Sequence, residues 1–161
     1  MRSSDRLIYQ KIKMESDLNE LWENCFQGNT NMEYINRYSP YKLHHKKDLV
    51  NFLIRNPNIT AWRINRIEEN DIIGYILLAQ NPVPLEFIVG YVIEQLYANN
   101  GYATEALIAL NISCLKAYCL NTNKASIRVL EKCGFVMDRE QIRQRYNSND
   151  EVSFKRVKHS K

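Results

Sequence analysis

Residues 94–104 have the sequence Glu-Gln-Leu-Tyr-Ala-Asn-Asn-Gly-Tyr-Ala-Thr and join an apolar stretch ending at Ile93 to a helical pattern beginning at Ala103. A tight turn between a strand and a helix directs several backbone N–H groups to one place, where the helix dipole adds positive potential. Gly101 tolerates a positive φ, and Asn99 and Asn100 are the next best residues for that conformation. The junction is therefore a candidate phosphate site, although turns of this composition also occur for purely structural reasons.

The residues before this junction predict alternating strands and helices. Alternating or continuous apolar residues predict strands over 7–13, 59–67, 71–79 and 85–93. Apolar residues spaced three and four apart predict a helix up to Phe26, with Ser16 as its N-cap, and a second helix over 46–55. The tyrosine-rich stretch 32–41 between them is predicted to be a loop. Its aromatic side chains either line an acceptor pocket or pack the loop onto the core.

The spacing of the apolar residues becomes helical after the junction. Helical spacing from Ala103 to Leu115 predicts a helix of about 12 to 14 residues, followed by a short strand over 119–122. A further helix over 126–132 ends at Gly134, and residues 135–146 and 152–157 form a closing hairpin. Strands alternating with helices around a central sheet predict an α/β or α+β fold. The length of 161 residues fits a single domain over 1–161.

Composition and charge argue against several other classes of protein. The net charge is +4 and the basic residues near the C-terminus alternate with acidic ones, which disfavours a nucleic-acid-binding groove. No apolar run approaches the roughly 20 residues of a membrane span, and no signal peptide precedes the first strand. The four cysteines lack C-x-x-C spacing, so buried thiols are favoured over a metal site or disulfides. We therefore expect a cytoplasmic protein with no metal, no nucleic acid and no membrane partner.

Two segments together carry a family resemblance. Residues 123–135, Asn-Lys-Ala-Ser-Ile-Arg-Val-Leu-Glu-Lys-Cys-Gly-Phe, resemble the second signature of the GNAT acetyltransferases. Residues 101–107, Gly-Tyr-Ala-Thr-Glu-Ala-Leu, resemble the first signature in the form used by the RimJ/RimL-like branch. The strand end at 90–93 and the opening residues 5–8 agree with it. The resemblance implies a mixed, mostly antiparallel sheet of about six or seven strands flanked by about four helices.

The resemblance also implies acetyl-CoA as co-substrate and an amine as acceptor. In the family, backbone amides of the turn matching 98–104 hold the CoA diphosphate, and the strand matching 91–93 pairs with the pantetheine arm. The residue matching Asn123 contacts that arm, and the one matching Ser126 lies near the sulfur. The implied cofactor-binding residues are Tyr91, Val92, Ile93, Ala98, Asn99, Asn100, Gly101, Tyr102, Ala103, Thr104, Asn123 and Ser126.

Direct attack of an amine on the thioester makes limited demands on the protein. An α-amine with a pKa of about 8 retains a neutral fraction at neutral pH, so a modest base or water suffices. A backbone N–H around Ile93 can stabilise the oxyanion, and Ser126 is the candidate proton donor to the thiolate. Glu86, which has the strand parity of Gly90, is the candidate base. The alternatives are that Ser126 and Asn123 only cap their helix and that Glu86 is solvated.

The chain departs from the family pattern in three places, and the first two support a second hypothesis. Ala98 and Asn99 stand where the family prefers Gln or Arg and Gly. The long predicted helix leaves only 118–122 for a turn and a strand, and Arg145 lies where RimL-like enzymes place a carboxylate. The sequence therefore predicts an N-acetyltransferase acting on a protein N-terminus or a small amine. The alternative is a non-catalytic CoA-binding or interaction module; either is a monomer or a homodimer.

Overall fold

The computed structural model describes residues 4–26, 33, 36, 42–81, 86–112, 114–138 and 151–157. Most of the predicted loop 32–41, the turn of the closing hairpin and Arg145 lie outside the described residues.

The described residues form one seven-stranded sheet in the order β1-β2-β3-β4-β5-β7-β6. Neighbouring strands run antiparallel except for β4 and β5, which are parallel. This arrangement confirms the predicted mixed, mostly antiparallel sheet. The strands are β1 Leu7–Lys11, β2 Ile59–Arg66, β3 Ile72–Gln80, β4 Phe87–Ile93, β5 Cys114–Leu120, β6 Val136–Met137 and β7 Glu151–Val157.

Helices cover both faces of the sheet. On one face, α1 (Asp17–Cys25) and α2 (Lys46–Leu53) pack around a core that includes Leu21, Leu49 and Leu77. On the other face, α3 (Tyr102–Ala109) and α4 (Lys124–Lys132) pack around a core that includes Ile76, Leu107 and Leu130. The central strand β3 is buried from Ile72 to Leu78 because it has a helical layer on each side.

Ser16 lies at the predicted N-cap position of the first helix, but its side chain does not cap the helix. Ser16 has helical dihedrals and makes no capping hydrogen bond through its side chain. Instead, the Asp17 carboxylate accepts hydrogen bonds from the backbone N–H groups of Lys13 and Met14, at 2.8 and 3.1 Å. These hydrogen bonds lower the pKa of Asp17, as expected for a carboxylate stabilised in its ionised form.

The long helix predicted after the junction is wrong. Helix α3 ends at Ala109, and Asn111 adopts a left-handed φ of 45° that is incompatible with a continuing helix. Cys114 and Leu115, which match a helical spacing, belong instead to β5, whose seven residues all pair with β7. Tertiary pairing has overridden the local pattern. The segment therefore contains a strand of full length, and one of the two sequence arguments for a degenerate module disappears.

The parallel pair β4 and β5 leaves an opening in the sheet. The two strands pair only where Phe87 faces Leu115 and Ile88 faces Lys116. Within the described residues they have no further pairing, although β4 continues to Ile93 and β5 to Leu120. Between their diverging ends lies a gap that is open to a ligand.

Candidate functional site

A cavity of 640 Å³ fills the gap between the diverging ends of β4 and β5. Its volume falls within the usual range for small-molecule sites, about 300 to 1,000 Å³. On the side of α3 and α4 its wall includes the turn at 97–104 and the first part of α4. It extends through the gap to the side of α1 and α2, where the wall is formed by Phe52, Ile59, Tyr75, Leu77 and Ala79.

The main chain of β4 presents polar groups to this cavity. Glu94 donates its backbone N–H to Ile73 at 2.8 Å, and Asn81 donates its backbone N–H to Glu86 at 3.2 Å. In an antiparallel pair such bonds recur at every second residue, so the even-numbered residues of β4 bond to β3. The N–H and C=O groups of Tyr91 and Ile93 consequently face the gap. An extended chain lying there would pair with β4 as an added strand.

A glycine in β3 holds β4 in this position. A Cβ added to Gly74 would lie only 2.0 Å from the Val92 carbonyl oxygen. The two strands approach each other closely because that Cβ is absent. The close packing of the β3 main chain therefore fixes the position of β4 and of its edge at the gap.

The turn that follows β4 has the conformation expected of a phosphate-binding turn. A single 3-10 turn, Gln95–Tyr97, is followed by Asn99 with a φ of 64° and Gly101 with a φ of 81°, after which α3 begins. The Asn100 side chain does not face the cavity. Its amide donates hydrogen bonds to the carbonyls of Tyr97 and Ala98, at 3.2 and 3.1 Å, and so stiffens the turn. The first residues of α3 line the cavity, and the N–H groups of a helix's first turn have no partner within the helix.

Arg6, which precedes β1, clamps the same turn from the outside. Its Nη1 donates to the Asn100 carbonyl at 3.1 Å, and its Nε donates to Glu105 Oε2 at 2.8 Å. The guanidinium also lies over the Tyr102 ring, 4.5 Å from its centroid. Although burial opposes ionisation of Glu105, hydrogen bonds from Ser4 and Arg6 lower the pKa of its carboxyl. The role of Arg6 was missed because its partners lie 94 and 99 residues away in sequence.

A second cluster holds the start of the turn. Tyr97 donates its hydroxyl to Asp71 Oδ2 at 2.5 Å, and Arg66 binds both oxygens of the same carboxylate at 2.8 Å. The Arg66 guanidinium lies 4.8 Å from the Tyr97 ring centroid. The hydrogen bond from Arg66 lowers the pKa of Asp71 although burial acts against it, and the bond to Asp71 raises the pKa of Tyr97 to about 12. Both ends of the turn are therefore pinned to the sheet.

The opposite end of the cavity contains a pair of hydroxyl groups. Tyr91 Oη lies 2.9 Å from Ser126 Oγ, and both residues line the cavity. Asn123 Oδ1 accepts the Ser126 backbone N–H at 3.1 Å, which makes Asn123 the N-cap of α4. Burial raises the pKa of Tyr91, so its phenol stays protonated and is available as a donor. The alternation of side chains along β4 places Val89, Tyr91 and Ile93 on one face of the sheet. This pattern predicts the face on which Tyr91 lies, but it does not predict the contact of Tyr91 with Ser126.

The structure does not place Glu86 at the cavity, and we therefore do not assign it the role of base. Glu86 lies just before β4, at the end where β4 and β5 pair. Its Oε2 forms an ion pair with the buried Lys116 Nζ at 2.9 Å and accepts a hydrogen bond from Asn81 at 2.8 Å. The alternation of side chains along β4 indicates on which face of the sheet Glu86 lies. It does not indicate how far Glu86 lies from the open end of the gap. Among the described residues of the wall there is no carboxylate.

Of the predicted cofactor-binding residues, all but Asn100 line the cavity. The residues that line the cavity are Tyr91, Val92, Ile93, Ala98, Asn99, Gly101, Tyr102, Ala103, Thr104, Asn123 and Ser126. Asn100 supports the turn instead. The described residues contain no cluster of three or more potential metal ligands. No described helix is long and apolar enough to cross a membrane.

Comparison with known proteins gives one family and a consistent fold. The family model for the acetyltransferase (GNAT) domain matches residues 6–136. No curated protein matches the sequence significantly. The structure is similar to a GNAT-family acetyltransferase from Bacillus anthracis, with a TM-score of 0.76, 22% identity and 96% of each chain covered.

Two further similar structures contain CoA or acetyl-CoA. The ribosomal L7/L12 alpha-N-protein acetyltransferase RimL, in complex with coenzyme A, has a TM-score of 0.75 at 16% identity, covering 97% of this chain and 96% of its own. The microcin C7 self-immunity acetyltransferase MccE, in complex with acetyl-CoA and AMP, has a TM-score of 0.73 at 16% identity, covering 96% of this chain and 93% of its own. At these identities the likeness shows a shared fold.

Proposed function

The chain belongs to the GNAT acetyltransferase family, and we propose that it transfers an acetyl group from acetyl-CoA to a primary amine by direct attack of the amine on the thioester. The observation that carries the proposal is the gap between β4 and β5. A turn rich in backbone N–H groups lies at one end of it and the Tyr91–Ser126 hydroxyl pair at the other.

The lining of the cavity suits two parts of acetyl-CoA, the diphosphate and the pantetheine arm. The N–H groups of residues 98–104 and the N-terminus of α3 suit the diphosphate. Since Ala98 carries no polar side chain, the main chain supplies these contacts. The N–H and C=O groups of Tyr91 and Ile93 suit the two amides of the pantetheine arm, which would lie along β4 and bring the sulfur towards Ser126.

The chemistry uses groups that the cavity provides. The neutral amine attacks the carbonyl carbon of the thioester, and a backbone N–H around Ile93 stabilises the oxyanion. The C–S bond then breaks, the thiolate takes a proton from Ser126 Oγ, and that oxygen recovers a proton from water. Tyr91 donates its own hydrogen bond to that oxygen, which leaves the serine hydrogen free to point at the sulfur. The proton lost by the amine passes to water, since the described wall contains no carboxylate.

The acceptor is proposed only as a class. RimL is named for its action on an alpha-amine of a ribosomal protein, and a protein N-terminus or a small amine would both present the required nucleophile. Cytoplasmic location, one domain over 1–161, the absence of nucleic-acid and membrane partners, and a monomer or homodimer stay predictions. The alternative, a non-catalytic CoA-binding module, is left with Ala98 and Asn99 as its support.

The test combines binding with turnover. Titration calorimetry with acetyl-CoA should show a single site per chain, and a thiol-specific dye should report CoA release when amines and N-terminal peptides are added. Ser126→Ala should bind acetyl-CoA normally and release thiol more slowly. Binding without release across a broad amine panel would favour the non-catalytic module, and absence of binding by folded protein would refute both.

A further inference from the structure

Two basic side chains stand out in the wall of the cavity. Arg128 and Lys132 both lie on α4, four residues apart, so they project from the same face of the helix. They are the only charged side chains among the described residues that line the cavity. Exposed arginines and lysines on a helix are usually just solvated. Arg128 and Lys132, however, line a cavity whose other described lining residues are uncharged. Their position therefore indicates a role in binding a ligand.

Neither cation has an acidic partner in the described part of the chain. The ion pairs found there involve other residues, including Arg6 with Glu105 and Lys116 with Glu86. The wall around Arg128 and Lys132 contributes no described carboxylate that would neutralise them. Within the described residues, no ion pair therefore competes with an anionic ligand for these two side chains.

The course of α4 brings Lys132 close to the phosphate end, with Arg128 one turn earlier on the same face. The helix begins beside the Tyr91–Ser126 pair, where the thioester is proposed to lie. Its other end contacts the first turn of α3, because Cys133 Sγ donates to the Thr104 carbonyl at 3.6 Å. From Ser126 to Lys132 the helix advances by about 9 Å. Along α4, then, Arg128 lies about 3 Å and Lys132 about 9 Å closer than Ser126 to the turn that suits the diphosphate.

Coenzyme A carries one phosphate more than this turn accommodates. In addition to the diphosphate, its ribose bears a monoester phosphate with close to two negative charges at neutral pH. Arginine and lysine side chains are the usual partners of such a group in proteins. Resting on the proposed function, we infer that Arg128 and Lys132 form a subsite for the ribose phosphate of CoA and select CoA over its dephosphorylated form.

Dephospho-CoA, which lacks only that phosphate, gives a direct test. Calorimetry would measure the dissociation constants of CoA and dephospho-CoA for the native chain, Arg128→Gln, Lys132→Gln and the double variant. The native chain should bind CoA about tenfold more tightly than dephospho-CoA, as expected for a partly exposed phosphate with two cations. In the double variant the preference should vanish through weaker CoA binding, with dephospho-CoA binding unchanged.

Lys124→Gln is the matched control, because Lys124 lies on the same helix, donates to the Asn121 carbonyl at 2.8 Å and does not line the cavity. It should keep the native preference. Added salt should weaken binding of CoA more than that of dephospho-CoA in the native chain only. Equal native affinity for the two ligands, or an equal loss of both in the double variant, would overturn the subsite and leave the proposed function intact. Absence of binding of either ligand to the native chain would refute the proposed function itself.

Discussion

The substitution Arg6→Gln tests whether the turn is preorganised from the β1 side. It removes the donation of Nη1 to the Asn100 carbonyl, the ion pair with Glu105 and the contact with the Tyr102 ring. The backbone N–H of residue 6 still binds Glu105. The fold therefore stays intact, while the turn loses its outer support.

The exposure of the Arg6 and Glu105 side chains sets the expected loss of affinity for acetyl-CoA in Arg6→Gln. The Arg6 side chain is 50% exposed and that of Glu105 15%, so the ion pair contributes at most about 1 kcal/mol after screening. The ring contact adds about 0.5 to 1 kcal/mol. Loss of this stabilisation, about 0.5 to 2 kcal/mol in total, from the binding-competent turn should weaken acetyl-CoA binding about 2- to 30-fold. Calorimetry would measure this change directly, and KM for acetyl-CoA should rise with little change in kcat.

The matched control is Arg55→Gln. Arg55 forms an ion pair with Glu15 in which both side chains are largely exposed, at 66% and 62%, and neither residue lines the cavity. Its loss should leave acetyl-CoA binding unchanged. Native affinity in Arg6→Gln, or an equal loss in the two variants, would refute the idea that Arg6 positions the turn.

Three further substitutions probe other parts of the account. Gly74→Ala would place a Cβ 2.0 Å from the Val92 carbonyl oxygen, so the free energy of unfolding in urea should fall by about 2 to 4 kcal/mol; a loss under 1 kcal/mol would contradict the close approach. Tyr91→Phe should lower kcat by about 10- to 100-fold with KM for acetyl-CoA nearly constant, and an unchanged kcat would remove Tyr91 from proton donation. Since the bond from Arg66 holds the pKa of Asp71 below its unfolded value of about 3.9, the stability that this pair contributes is complete above that pH and is lost as the pH falls below it. Asp71→Asn should therefore flatten the acid limb of the stability curve, and an acid limb as steep as that of the native chain would show that the pair contributes nothing there.

The sequence was most informative where local chemistry dictates the conformation. The left-handed backbone at Asn99 and Gly101 follows from side-chain sterics, and the apolar runs of β3 and β4 require cover on both faces. These features were predictable without knowledge of the rest of the chain. The family signatures added the order of the elements around them.

The sequence was least informative where distant residues decide the outcome. Cys114 and Leu115 fit a helical spacing, and only their pairing with β7 makes them a strand. Glu86 had the right parity, but its distance from the open end of the gap depends on the register of β4 against β5. The contacts of Arg6 with the turn and of Tyr91 with Ser126 join parts of the chain with no sequence pattern in common.

A crystal structure of the chain with coenzyme A bound would show whether the gap between β4 and β5 is the binding site for CoA. It should show the diphosphate on the N–H groups of residues 98–104, the pantetheine arm alongside Tyr91 and Ile93, and the sulfur within hydrogen-bonding distance of Ser126 Oγ. Coenzyme A bound elsewhere, or in the gap with its sulfur directed away from Ser126, would contradict the account.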